Sequence, residues 1–90
     1  MPYIDKGQRE EIDKLVFPLA SLTPTTGKMN YAITKLVHEV IMRNHMSYDL
    51  LNSMVGVLEC AKQGLLRQVV APYEDQKKAD NGPVPELGDE

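Results

Sequence analysis

The 90-residue chain reads as an all-α fold: a small three-helix bundle with a long, proline-interrupted third helix and a disordered C-terminal tail. Three observations carry that reading. Three blocks repeat apolar residues at spacings of three and four, the period of one helix face. Short polar or proline- and glycine-bearing links separate the blocks. No stretch alternates apolar and polar residues long enough for a useful strand. Residues 1–80 are expected to form the helical domain and residues 81–90 an acidic tail.

The chain opens with Pro2, Tyr3, Ile4 and Gly7, which read as an extended arm. A first helix is expected from about Gln8 to Ser21, because Ile12, Leu15, Val16 and Leu19 share one face. Pro18 lies inside that pattern, where its ring and missing N–H should kink a continuing helix. Leu22 to Gly27 form a loop containing Pro24, and Thr25 or Thr26 can cap the second helix. That helix is expected from about Lys28 to Arg43, on the stripe Met29, Ile33, Leu36, Val37, Val40 and Ile41. Ser47 is a good N-cap for the third, and Asp49 sits in its first turn, where the helix dipole favours an acid. The third helix is expected from Tyr48 to about Ala71. Its stripe is Leu51, Met54, Leu58, Ala61, Leu65 and Val69, with further apolar residues widening the face. Beyond Pro72 the helix can continue to Ala79. After Asp80 two prolines and two glycines accompany acids, a composition that favours disorder.

Composition excludes several classes of function. Hydrophobic residues make up 42% and charged residues 26%, ordinary for a globular chain. Net charge is −3, so no general basic field attracts nucleic acid. The acidity sits at the end: residues 73–90 carry Lys77 and Lys78 against Glu74, Asp75, Asp80, Glu86, Asp89 and Glu90. Cys60 is the one cysteine, so an internal disulfide is impossible. Residues 1–14 lack the apolar core of a signal peptide, and no run approaches the length of a membrane span. A reducing cytoplasm is the expected compartment.

Several strings resemble an uncharacterised family of short bacterial and phage proteins. They are Met1-Pro2-Tyr3-Ile4, Asn30-Tyr31 with Ile33, Gly56 to Lys62, and Val69-Val70-Ala71-Pro72-Tyr73-Glu74-Asp75 followed by Asn81-Gly82. The resemblance covers roughly residues 1–82. It implies a complete small protein, and it implies no activity and no site residues.

The remaining candidates are local. Gly56, Cys60 and Gly64 lie four apart, which lines up three small side chains on the third helix. Mid-helix glycine costs about 1 kcal/mol relative to alanine, so close approach of another backbone is one compensation. The approaching helix belongs either to a second copy or to the chain itself. A homodimer interface is expected along Gly56, Cys60 and Gly64, with Leu50, Met54, Val57 and Leu66 nearby. Glu59 and Lys62 read as a solvated surface pair. His38, Glu39 and His45 lack further ligands at metal spacing and read as surface residues. Glu86-Leu87-Gly88-Asp89 resembles half of a magnesium-holding acidic motif, without ordered partners. Cys60 reads as a buried, inert thiol, and Tyr48 and Tyr73 as core residues with hydroxyls at the surface. Lys28, Lys35, Arg43, Lys62 and Arg67 are too scattered among acids to read as a nucleic-acid surface. No catalytic, cofactor or metal residue is assigned. The leading expectation is therefore a non-enzymatic, homo-oligomeric interaction module, with a protein partner of unknown identity. The alternative is a small nucleotide-handling enzyme or phage-type modulator with its site at a subunit boundary.

Overall fold

The computed structural model describes residues 4–84 and is all-α, with three helices and no strand among those residues. Helix α1 spans Lys6–Ser21, α2 spans Thr26–Met42, and α3 begins at Tyr48 and runs to Leu65. A π-helical turn, Leu66–Val70, then leads into α4, Ala71–Asn81. Leu65, Val70 and Ala71 all keep helical backbone angles, so the last three elements form one helix of 34 residues.

Each start has a local cause. Asp5 caps α1: its carboxylate accepts from the Gln8 backbone N–H at 2.9 Å, and the Gln8 side chain accepts from the Asp5 N–H at 3.2 Å. This reciprocal pair starts the helix at Lys6, two residues before the first expected position. Thr25 caps α2 by accepting from the Lys28 N–H at 3.3 Å. Ser47 caps α3 by accepting from the Leu50 N–H at 3.1 Å. The ends are closed in kind. Ser21 Oγ donates to the Pro18 carbonyl at 2.7 Å, and the Asn44 amide donates to the Val40 carbonyl at 2.6 Å. Both donors satisfy carbonyls that the last turn leaves open. Gly82 ends α4 with φ of +85°, a left-handed value that glycine adopts at little cost.

Proline shapes two helices. Pro18 lies within α1, which continues past it to Ser21 as expected. Pro72 lies in the first turn of α4, immediately after the π turn. There the Ala71 N–H donates to the Leu66 carbonyl, one residue further back than in an α-helix. The wider turn gives the proline ring room beside the preceding carbonyls, so helical backbone persists through it.

The chain divides after Met54 into two compact units. In the first, α1 and α2 frame an apolar corner where they leave their loop, with Val16, Leu19 and Ala20 facing Met29, Ile33 and Leu36. In the second, the π turn and α4 follow one another along the helix. Neither unit has a sealed interior: among the described residues none is buried, apolar or polar. The stretch expected to be disordered lies mostly at residues 85–90, outside the described residues.

Candidate functional site

With no buried core among the described residues, the features that could carry function are helix faces. The apolar stripes expected from sequence are present, and much of each is open to solvent, while Val37, Val40, Ile41 and Met54 are half-buried. On α1, Leu15 is 74% exposed and Val16 45%; on α2, Leu36 is 63% exposed. The corner between these helices continues into a groove of about 560 Å³, lined by Leu19, Leu22, Tyr31, Ala32 and Leu36, with Lys28, Lys35 and Glu39 on its margin.

The seven residues expected at an interface all lie on the third helix, and they do not share one face. At 100° per residue, Met54 and Leu66 stand about 120° from Cys60, on opposite sides. Gly56, Val57, Cys60 and Gly64 cluster together, while Leu50 and Met54 are half-buried and Leu66 is exposed. A Cβ built at Gly56 or Gly64 meets nothing within 4 Å. Neither glycine therefore makes room for a side chain or backbone segment of its own unit.

Cys60 is exposed and free, which corrects the expectation of a buried thiol. Its place between two glycines leaves no large neighbour four residues away to cover the sulfur. Tyr48 and Tyr73 are likewise exposed rather than packed in a core. The Lys77 ammonium lies 5.5 Å from the Tyr73 ring centroid, an exposed cation–π contact one turn along α4.

The charged residues behave as a solvated face. Lys62 Nζ lies 3.4 Å from Glu59 Oε1, with both side chains more than half exposed. Gln63 donates to the same carboxylate oxygen at 3.1 Å. The Gln63 hydrogen bond, then the Lys62 charge, hold the Glu59 carboxyl below its ordinary value. His38 lies on α2 and His45 beyond that helix's end at Met42, so the two do not share a helix face. Among the described residues no three His, Cys, Asp or Glu side chains come together as metal ligands. No described helix is long and apolar enough to cross a membrane.

These observations define an all-helical protein whose distinctive surface is the open flank of a long third helix. The chain belongs to the family described as Domain of unknown function (DUF6899), which it matches over residues 1–84. No curated protein and no solved structure matches it.

Proposed function

We propose that this protein is a non-enzymatic helical interaction module that self-associates through its third helix. One observation carries the reading: every apolar stripe is formed, and among the described residues none of its members is fully buried. Fixing a residue's backbone costs about 1–2 kcal/mol. Burying a Leu or Val side chain returns about 1.5–3 kcal/mol, and only when water is removed from it. A chain that leaves Leu15, Leu36, Leu58 and Leu65 in water lacks that return, and an association partner supplies it. The 34-residue third helix is about 50 Å long, against about 25 Å for α1 or α2, so a second copy matches its length best.

Two seams on that helix are open to a second copy. One is the small-residue face of Gly56, Cys60 and Gly64, where a neighbouring backbone has room to approach closely. The other is the apolar face that contains Leu51 and Leu58. The family strings around Ala71-Pro72-Tyr73 support a bacterial or phage setting, and the single cysteine suits a reducing cytoplasm. Light scattering across a concentration series tests the reading. We expect a dimer or larger species at micromolar concentration. A protein that stays monomeric at high micromolar concentration would end it.

A further inference from the structure

We infer that the third helix pairs with the third helix of a second copy as a parallel two-stranded coiled coil, through the apolar seam rather than the small-residue face. The inference rests on the self-association proposed above and adds the face, the orientation and the residue that sets register.

Spacing marks the seam. Tyr48, Leu51, Val55, Leu58, Lys62, Leu65 and Val69 alternate at three and four along the chain, without a slip. Over the α-helical stretch Tyr48–Leu65 that is a 3.5-residue period about two and a half heptads long, which keeps one seam facing a supercoiled neighbour; Val69 lies in the π turn, where the phase shifts. The residue types sort by position. The first of each heptad pair is Tyr48, Val55, Lys62 or Val69, and the second is Leu51, Leu58 or Leu65. β-branched residues at the first position with leucine at the second favour two parallel strands, because of how each knob enters the facing hole; Val55 and Val69, two of the four first-position residues, are β-branched, and all three second-position residues are leucine. Six of the seven are apolar, and their exposure runs from 39% at Leu51 to 79% at Tyr48. At roughly 100 Å² apiece, the five apolar members up to Leu65 bury about 500 Å² per copy and about 1,000 Å² for the pair, the threshold a specific interface should reach.

Lys62 is the seam's one polar member. In a parallel pair it meets its own counterpart, which costs stability and penalises every shifted register. Glu59 lies 3.4 Å away on the same helix and offsets that repulsion. Gly56, Cys60 and Gly64 fall on the opposite side of the helix and face solvent in this pairing.

The test uses the full chain, with the oligomeric state read by light scattering and orientation read by crosslinking. Leu58→Asp should weaken association by on the order of a hundredfold or more, whereas Gly56→Leu should leave it within about threefold. Lys62→Leu, which removes no packing, should tighten association or raise the number of strands. In a Cys60→Ser background, Leu51→Cys alone should form a covalent dimer on mild oxidation, because residue 51 meets residue 51 only in a parallel pair. If Leu51→Cys crosslinks only when mixed with Lys62→Cys, the pair is antiparallel and the inference falls. If Gly56→Leu dissociates the dimer and Leu58→Asp does not, the seam is the small-residue face; self-association stands and this inference falls. A monomeric wild type removes both.

Discussion

At the scale of single residues, the caps and the glycines make the sharpest claims. Asp5 and Gln8 satisfy each other's backbone donors at the start of α1. Asp5→Ala should therefore reduce stability by about 0.5–2 kcal/mol, measured by denaturant unfolding. Gly56 and Gly64 are open, so alanine fits at both. Each Gly→Ala change should stabilise the helix by about 1 kcal/mol, with association unchanged. Weakened association in Gly56→Ala would point instead to backbones in contact there. Glu59 supplies a pH signature. Its carboxyl is held low by Gln63 and then Lys62, so its folded pKa lies below its unfolded one. The help it gives is fully present above the unfolded value and is lost as pH falls through the folded one. Gln63→Ala should move the Glu59 titration, followed by carboxyl NMR, back towards the ordinary carboxylate range. Cys60 shows where residue-level reading fails. An apolar helix suggests a covered thiol, but covering needs a second element, and neither spacing nor composition says whether one is present.

At the scale of elements, the prolines distinguish local propensity from tolerance. Pro18 removes the bond to the Lys14 carbonyl, yet α1 continues to Ser21. Pro18→Ala restores the bond, and the variant should unfold at equal or higher denaturant concentration than wild type. A clear loss of stability would mean that the ring fixes the turn towards Pro24. Pro72 follows the π turn, and Pro72→Ala should let Leu66–Val70 relax to an ordinary α-helix, visible as an Ala71 amide protected through a bond one residue nearer. Most of these elements were legible in the sequence, because Ser47 and Thr25 are strong caps, Pro24 lies in the first link and the second link is short and polar. Two details were not. The start of α1 depends on an Asp–Gln pair that lies ahead of the first apolar residue, where periodicity is silent. The π turn, Leu66–Val70, lies in a stretch that keeps the helical apolar spacing, and only Pro72 hints at it. Sequence spacing alone gives two overlapping rows on the third helix, since Met54 and Ala61 stand beside Val55 and Lys62 with similar spacing.

At the scale of the molecule, the described residues form three well-capped helices that leave much of their apolar faces in water. Hydrophobic periodicity reports which faces seek cover, and it does not report whose atoms provide it. That is why the helices could be read from the sequence while what covers their faces could not. If association supplies the missing burial, folding and assembly are one equilibrium, and stability depends on protein concentration. Thermal unfolding by circular dichroism over a hundredfold range of concentration reads that dependence. Coupled folding and assembly should raise the midpoint by about a few degrees for each tenfold increase. A cooperative transition whose midpoint stays fixed across that range would refute the coupling, because the chain would then be completing its core alone.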